Sequence, residues 1–399
     1  MSLRNRKNKS SDWFIELVSL YFAEEAELLE STWKTLIISW AIVGVGSLTV
    51  GCQQVIHMDP LVFQASEKDG TIKVHTMDPE ALFKEGRVAF RSRQYKESAY
   101  IFETFLKQFP DDERAHSARY NAGLSRERLE QWDEAVLHFE TYVQFARDPR
   151  DEIDGRFRLV MSRKGQGNWD GMWTDVERLL GLQLTVLDRA EAIALSGFAQ
   201  ERRGDLALAE RAYMKALSVE TTQEDPELFK TNEHLAMAQY QIGEIYRSLF
   251  SAIVFRLPVE RMQRDLHDKS TLFLKAQSAY LKAIRRQNKS WALAAGFRTG
   301  EIYASFYEDF LNAEVPDELE TDEVQIYFDE LRGQVRPLLE RAIRVYERNI
   351  KMGARSRQGD NPWVEKTRVH LQKLKEILAE ELEREREKEM EEAEESPAS

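Results

Sequence analysis

Small and large hydrophobic residues follow one another in blocks of constant length between residues 81 and 217. In each block a small or apolar residue is followed after nine positions by a large one, after twelve by a small or slender one, and after sixteen by an aromatic or branched one. The pattern returns every 37 residues without a gap. Its four sets are Gly86, Tyr95, Ser98, Phe102 and Phe105; Gly123, Trp132, Ala135, Phe139 and Tyr142; Val160, Trp169, Met172, Val176 and Leu179; and Gly197, Leu206, Ala209, Tyr213 and Ala216.

These offsets predict pairs of antiparallel helices. A close contact falls on the first helix of each pair, a bulky residue begins the second, and a hydrophobic stripe at helical spacing follows along it. Strands would alternate with a period of two, which this region does not do. Asp78-Pro79-Glu80 supplies an N-cap followed by a proline in the first turn. In the third block Val160 and Met172 replace the small residues, so we expect its helices to pack less closely.

The blocks resemble tetratricopeptide repeats, lengthened to 37 residues from the roughly 34 that are usual in that family. The residues that carry the resemblance are Leu82, Gly86, Tyr95, Phe102 and Pro110 in the first block; Gly123, Trp132, Ala135 and Phe139 in the second; and Gly197, Gly204, Ala209, Tyr213 and Ala216 in the fourth. The resemblance implies an all-α fold, an α-solenoid of helix hairpins that stack in chain order. It also implies a protein that binds other proteins.

Two further repeats of related design follow the four regular ones. The segment Gln241–Tyr246 returns as Arg298–Tyr303, and the second-helix positions Tyr280 and Tyr346 come only after long insertions. The predicted organisation is four regular repeats in 78–222, two elongated repeats in 223–360, a capping helix in 361–382 and an acidic tail in 383–399. We expect the tail to be a solvated extension of the helix.

The most apolar segment of the chain ends at its single cysteine, Cys52. Thr35–Gly51 is 17 residues long and carries no charge, which is at the lower edge of what spans a bilayer and typical of a signal peptide. Leu48–Gly51 resembles the bacterial lipobox. That resemblance implies lipidation of the Cys52 thiol, removal of 1–51, and a tether over 52–77. The alternatives are a short membrane anchor and a buried helix.

The first 31 residues fit a signal peptide poorly because they hold more acidic than basic side chains, whereas such a start is short and positive. Either translation begins near Leu28, which we favour, or this stretch is the cytoplasmic part of an anchored protein. No aspartate follows Cys52 directly. In the familiar enterobacterial sorting pattern that implies the outer membrane, with the inner membrane as the alternative.

A binding groove is predicted by analogy with the repeat family, in which the residue three positions before each glycine of the pattern faces the concave side. Five of the six residues at this position are aromatic, and rings on a rigid scaffold anchor extended or helical peptides. The alternative is that the rings merely pack against the next repeat and the nearby basic residues are ordinary surface residues. The predicted groove comprises Phe83, Tyr120, Phe157, Ala194, Tyr240 and Phe297, with Arg87, Arg91, Arg128, Lys164, Arg202 and Arg247 as its basic lining.

Composition and charge exclude several function classes. The 399 residues carry a net charge of −13, with many of the acids in Glu376–Glu395, so no broad basic face for nucleic acid is expected. A single cysteine excludes a disulfide framework and a Cys-rich zinc site. The seven histidines are scattered, and Gly165–Gly171 imitates a phosphate loop without a strand before it. The sequence therefore predicts no catalytic, metal or cofactor site and no small-molecule substrate, and we do not expect an enzyme.

The sequence favours a lipid-anchored periplasmic scaffold that binds other envelope proteins at the outer membrane. Its plan resembles the repeat component of the β-barrel assembly machinery and the repeat lipoproteins of the myxobacterial gliding-motility apparatus. The second resemblance rests on the long C-terminal repeats with their Gly-Glu-Ile-Tyr and Val-Pro-Asp-Glu-Leu elements. An inner-membrane-anchored scaffold of an envelope or secretion complex is the alternative, and an accessory to a cell-wall enzyme is a remote third.

Overall fold

The computed structural model describes residues 62–68, 71–219, 229–315 and 321–395. Within these ranges lie two strands, β1 (Val62–Lys68) and β2 (Thr71–Met77), and thirteen helices. The helices of regular length are α1 (Pro79–Arg91), α2 (Tyr95–Gln108), α3 (Ala115–Arg128), α4 (Trp132–Gln144), α5 (Pro149–Gln166), α6 (Trp169–Leu180), α7 (Val186–Arg202) and α8 (Leu206–Ser218). The longer helices are α9 (Glu233–Ala252), α10 (Val259–Arg285), α11 (Lys289–Leu311), α12 (Thr321–Arg355) and α13 (Pro362–Glu395).

The helices form the predicted all-α solenoid of helix hairpins. From α1 to α7, and again from α9 to α13, each helix packs on the next one in chain order. Four regular hairpins, two elongated hairpins and a closing helix follow one another, as the sequence predicts. The described residues divide into two compact parts, an N-terminal body that ends at Ala212 and a C-terminal body that begins at Tyr213.

A β-hairpin precedes the first helix, where the sequence analysis predicts only a tether. β1 and β2 pair antiparallel, with Val62 opposite Met77 and Lys68 opposite Thr71. The prediction for 52–77 is therefore corrected for the residues of the two strands. The overlooked signal is the dipeptide Asp69-Gly70 between two runs with strand-favouring residues, which is a strong hairpin indicator in sequence.

The turn inside each regular repeat has the same backbone conformation. Arg93, Glu130, Gly167 and Gly204 follow the first helix at one repeat position, and all four have positive φ angles between 58° and 92°. This left-handed region costs little for glycine and more for a residue with a side chain. The 37-residue period therefore extends to the backbone, and the first two repeats hold a mildly strained residue where the next two have glycine.

The close contacts that the small residues predict are present in the regular repeats. A Cβ atom placed on Gly86 would lie 3.0 Å from the ring of Phe102, and one on Gly123 would lie 2.7 Å from the ring of Phe139. Both rings are fully buried. Only glycine allows the two helices of the hairpin to approach this closely, because any side chain would meet a ring held in the core.

The elongated repeats use the same contact on longer helices. A Cβ atom on Gly243 would overlap the ring of Tyr280, and one on Gly300 would overlap the ring of Tyr346. The helices α9 to α12 have 20, 27, 23 and 35 residues. The extra residues of these repeats therefore lengthen the paired helices, and much of the predicted insertions is helical.

Lys269 of α10 fastens the extended helices to one another. Its side chain is fully buried, and its ammonium group donates to the carbonyl oxygens of Phe250 at 3.0 Å and Ile253 at 2.6 Å. It also forms an ion pair of 2.8 Å with Asp309 of α11. The two carbonyls lie at the end of α9, where backbone acceptors lack helical partners. One lysine therefore joins three helices.

The closing helix α13 continues through the predicted acidic tail as far as Glu395. Glu381 is 4% exposed and accepts a hydrogen bond from the hydroxyl of Tyr307. Arg336 of α12 forms an ion pair of 2.8 Å with Glu385, and Lys388 forms one of 2.6 Å with Asp329. The helix therefore contacts its neighbours at least as far as residue 388, beyond the predicted end of the capping helix at 382.

None of the described helices is both long enough and apolar enough to cross a bilayer. The segment Thr35–Gly51, the lipidation site Cys52 and the acidic first 31 residues all lie outside the described residues. The predictions made for them stay predictions.

Candidate partner-binding surface

The predicted groove aromatics of the N-terminal body are half-buried and rest on the second helix of their own hairpin. Phe83 packs edge-on against Phe102 and Phe105, with ring centres 5.6 and 5.7 Å apart. Tyr120 packs edge-on against Phe139 at 5.7 Å, and its ring is tilted against that of Tyr142 at 5.0 Å. Both residues are partly exposed to solvent.

Phe157 is also half-buried, and it packs against the cluster formed by Ile153, Leu179 and Ala192. Ala194, the small residue at this position in the fourth repeat, is fully buried. The first three repeats therefore hold a partly exposed ring at this position, and the fourth holds none.

The two predicted anchors of the C-terminal body are core residues. Tyr240 is 5% exposed and packs against Tyr280 and Trp291. Phe297 is 3% exposed, with Tyr346 and the capping helix around it. Both rings pack against the next helix, which is the alternative stated for them from the sequence. Very little of either side chain is exposed to a partner.

The predicted basic lining divides into exposed and engaged residues. Arg87, Arg91, Arg128 and Arg202 are exposed, whereas Lys164 and Arg247 are partly buried. In the third and fourth repeats, Lys164 and Arg202 lie over the ring of Phe198 at 4.6 and 5.0 Å, within the range of a cation–π contact. These two cations therefore frame an aromatic residue that the sequence pattern did not single out.

Arg247 belongs to a compact network around Glu244 that the sequence pattern does not reveal. Glu244 accepts from the hydroxyl of Tyr280 at 2.5 Å and from Arg247 at 3.1 Å, and it forms an ion pair of 3.1 Å with Arg298. Burial and the nearby Glu244 carboxylate raise the pKa of Tyr240 to about 12. Glu244 therefore neutralises much of the basic character expected of Arg247.

A bond between an arginine and a tyrosine recurs between successive hairpins. Arg158 Nε donates to the hydroxyl of Tyr120 at 3.2 Å, and Arg298 Nε donates to that of Tyr240 at 3.2 Å. In both cases the tyrosine stands at the predicted groove position of one hairpin. The arginine directly follows the groove residue of the next hairpin, which is Phe157 in the first case and Phe297 in the second. The tyrosine at the groove position thus joins one hairpin to the next. The signal in the sequence is the arginine that follows the groove residue of the next hairpin.

A second set of polar contacts repeats with the 37-residue period. Glu103 of α2 binds Arg126 of α3 at 2.7 Å and His138 of α4 at 3.1 Å. Burial acts to raise the pKa of Glu103, but hydrogen bonds from His138 and Arg126 outweigh it and lower that pKa to about 2. An ionic contact of this kind therefore joins three helices across the boundary between the first two repeats.

The same contact recurs at the next boundary with one change of residue. Glu140 of α4 binds Arg163 of α5 at 2.6 Å, and Arg163 lies 3.4 Å from Asp175 of α6. Asp175 occupies the repeat position of His138. At the third boundary Gln200 takes the place of the arginine, so the array loses this charge after two boundaries.

Within the described parts of the chain, no group of three or more His, Cys, Asp or Glu side chains is placed to hold a metal ion. The polar clusters on this surface are ion pairs and hydrogen bonds that join helices, and the arrangement supplies charged and aromatic contacts for a protein partner.

One part of the chain matches a known family model. Residues 80–112 match the model of the tetratricopeptide repeat. The first helix hairpin therefore resembles a tetratricopeptide repeat. The match covers α1, α2 and the turn after them, and several later hairpins repeat its glycine–aromatic contact. No curated protein matches the sequence.

Several solved structures resemble the chain at low identity. The apo form of RapI is 10% identical and covers 76% of this chain and 100% of its own, with a TM-score of 0.42. The quorum sensor NprR from B. thuringiensis is 14% identical over 74% of this chain and 77% of its own, with a TM-score of 0.40. The C-terminal part of a TPR repeat-containing protein from Cytophaga hutchinsonii is 12% identical over 73% and 95%, with a TM-score of 0.40.

Proposed function

We propose that this protein is a scaffold of the bacterial cell envelope that binds other proteins through its repeats. The observation that carries the proposal is the array itself. One hairpin matches the tetratricopeptide-repeat model, the next three repeat its 37-residue period, and several later hairpins repeat its glycine–aromatic contact. Repeat arrays of this kind present extended surfaces on which partners bind.

Lipid attachment at Cys52 is the second part of the proposal. It is supported by the uncharged Thr35–Gly51 and by the lipobox-like residues before the cysteine. A lipid on Cys52 would hold the repeats at the periplasmic face of the outer membrane, where envelope proteins are the available partners. A single lipid-modified terminus and a folded array suffice for this role without any catalytic group.

Lipidation is tested by metabolic labelling with palmitate in cells that express the full chain. We expect the wild type to incorporate label and to accumulate as a precursor when globomycin blocks the signal peptidase, and Cys52→Ala to lose the label. A full-length, unprocessed chain that stays in the membrane without label would contradict the proposal. Density-gradient separation of the two membranes then distinguishes the outer from the inner.

An inner-membrane anchor is the second candidate, and one observation favours it. The acidic stretch before the apolar segment is unlike the start of a signal peptide and fits a cytoplasmic segment better. In that case Thr35–Gly51 would remain in the mature protein, and Cys52→Ala would leave membrane retention unchanged.

The process that the scaffold serves is proposed to be gliding motility or outer-membrane protein assembly. Deletion of the gene separates them, because loss of motility at normal levels of outer-membrane β-barrel proteins supports the first, and depletion of those proteins supports the second. Normal motility together with normal β-barrel levels would reject both.

A further inference from the structure

The turns between successive hairpins of the C-terminal body lie along one edge. Asn349 of α12 donates from Nδ2 to the carbonyl oxygen of Leu293 in α11 at 3.1 Å and to the hydroxyl of Thr367 in α13 at 2.9 Å. Arg286, directly after α10, donates to the carbonyl oxygen of Phe229, ahead of α9, at 3.3 Å. The ends of α10 and α12 therefore meet the starts of α11 and α13. We call this part of the body, residues 282–289 and 340–376, the turn edge.

The turn edge is strongly basic although the whole chain carries a net charge of −13. Its two segments hold fourteen basic and five acidic side chains, an excess of nine positive charges. Three of the five acids already pair with cations of the same edge. These pairs are Glu340 with Arg344 at 3.2 Å, Glu347 with Lys375 at 2.7 Å, and Glu365 with Arg368 at 2.9 Å.

The acids nearby in the chain do not remove this excess. Lys230 and Glu233, beside the start of α9, cancel each other. Residues 220–228 contain four acids and lie outside the described residues. Even with all four counted, five positive charges remain in excess.

Nearly all of these cations are exposed, and they come from four helices and the turns between them. The positive charge is thus spread along the edge and is accessible over its whole length. The exposed cations are Lys282, Arg285, Lys289, Arg344, Arg348, Lys351, Arg355, Arg357, Lys366, Arg368, Lys373 and Lys375.

Two tryptophans stand among the cations, each in the first turn of a helix. Trp291 of α11 and Trp363 of α13 are both partly exposed. The ammonium group of Lys366 lies 4.6 Å from the ring centre of Trp363. Tryptophan is enriched where proteins meet the head groups of a bilayer, because one part of its ring system is apolar and its N–H is polar. The turn edge therefore combines the side chains that suit a membrane surface.

The acids of the same body do not oppose binding at the turn edge, because they are too far away. Glu323 and Glu330, in the first half of α12, and Glu383, near the far end of α13, are exposed. Along α12, Glu323 and Lys351 are about 40 Å apart at the rise of a helix. Salt at physiological strength screens charges over about 8 Å. A negative surface at the turn edge would thus meet the cations alone.

We propose that the turn edge binds the anionic phospholipid head groups of the membrane to which the protein is attached. The inference rests on the proposed function, since it requires attachment to a membrane. A planar layer of phosphates can meet cations from four helices at once, and each lysine or arginine near such a surface strengthens binding about fivefold. The acidic edge is repelled, so the C-terminal body would stand with its turn edge toward the lipid.

The test uses the full chain, reconstituted through its own membrane attachment into vesicles of phosphatidylcholine with phosphatidylglycerol. A photo-reactive p-benzoylphenylalanine replaces Ala354, an exposed residue at the turn edge, or Gln325, an exposed residue at the other end of the same helix. We expect crosslinks to phosphatidylglycerol from Ala354 and none from Gln325. The Ala354 yield should fall about tenfold in phosphatidylcholine alone and in about 1 M salt, where the screening length is about 3 Å.

Charge variants separate the lipid contact from general proximity to the membrane. Lys351→Glu with Arg355→Glu should lower the Ala354 yield at least about tenfold, whereas Lys351→Arg with Arg355→Lys should keep it. Glu323→Lys with Glu330→Lys is the matched control at the opposite edge and should leave the Ala354 yield unchanged. All four positions are exposed, so unchanged thermal unfolding is the folding control.

The outcomes distinguish this inference from the proposed function. A chain that stays on the vesicles without a lipid crosslink from Ala354, or with equal yields from Ala354 and Gln325, overturns the inference and leaves the anchored scaffold standing. A crosslink from Ala354 to a protein in place of lipid, in the native host, also overturns it. If cell fractionation finds the chain away from the membranes, both proposals fail.

Discussion

At the scale of single residues, the stability of each hairpin depends on helix positions where no side chain fits. Gly300 is one of these, because its backbone touches the fully buried ring of Tyr346. Gly333 in α12 is a helical glycine of the opposite kind, with nothing within 4 Å of the place where a Cβ atom would lie. The two positions separate the packing effect of glycine from its conformational effect.

We therefore predict opposite effects for one substitution at these two positions. Gly300→Ala should lower the free energy of unfolding by about 1–3 kcal/mol, since the new methyl group forces a buried ring to move. Gly333→Ala should raise it by about 0.5–1 kcal/mol, because alanine restricts the unfolded chain and favours the helix. Urea denaturation of both variants measures this. Equal effects would mean that the close approach at Gly300 is absent in solution.

The sequence predicts the apolar contacts between helices better than the polar contacts, for a physical reason. A glycine opposite an aromatic leaves a fixed spacing in the chain, so Gly123 and Phe139 could be paired from their positions alone. Glu103 and Arg126 lie on helix surfaces where charged residues are common, and only the fold brings them within 2.7 Å. The burial of Tyr240 and Phe297 could not be predicted in the same way. Their position in the repeat pattern does not show how far the next helix covers each ring.

At the scale of elements, the ionic contact among α2, α3 and α4 makes their association depend on pH. The folded chain lowers the pKa of Glu103 from 4.5 to about 2, so the unfolded chain takes up the proton first as the pH falls. The contribution of Glu103 is thus fully present above about pH 4.5 and is lost between there and about pH 2. Partial exposure of the carboxylate reduces it to about 1–2 kcal/mol.

The measurement is the difference in free energy of unfolding between the wild type and Glu103→Gln at a series of pH values. We expect it to be largest near neutral pH and to vanish as the pH approaches 2. Glu177→Gln is the matched control, because Glu177 holds the same repeat position as Glu103 and Gln200 holds that of the arginine. That variant should change stability by less than about 0.5 kcal/mol at neutral pH. A pH-independent difference for Glu103→Gln would contradict the assignment.

The last helix offers a second prediction at this scale, because its acidic end is in part structural. Ending the chain after Glu380 removes Glu381, which leaves Tyr307 without its acceptor and Arg336 without its two acidic partners. We expect a loss of about 2–3 kcal/mol. Ending it after Glu389 keeps the described contacts of α13 with α12 and should cost less than about 0.5 kcal/mol. Equal stability of the two truncations in urea would restore the interpretation as a solvated tail.

At the scale of the whole molecule, the array is built from contacts between helices that are close in the chain. This determines how far the effect of a mutation extends along the array. From α1 to α7, and from α9 to α13, each helix packs on its neighbour in sequence, and a few also reach the helix after that. Stability in such an array is close to a sum of local terms. Lys269 is a test, because its loss removes an ion pair and two hydrogen bonds within the C-terminal body.

We predict that Lys269→Met accelerates hydrogen exchange in α9, α10 and α11 by about a hundredfold, since about 3 kcal/mol is lost when one partner of a buried ion pair is removed. The amides of α1 to α6 should exchange at the wild-type rate. Lys282→Met on the same helix is the control, because Lys282 is exposed, and it should change neither region. Faster exchange in α1 to α6 as well would show that the two bodies unfold as one cooperative unit.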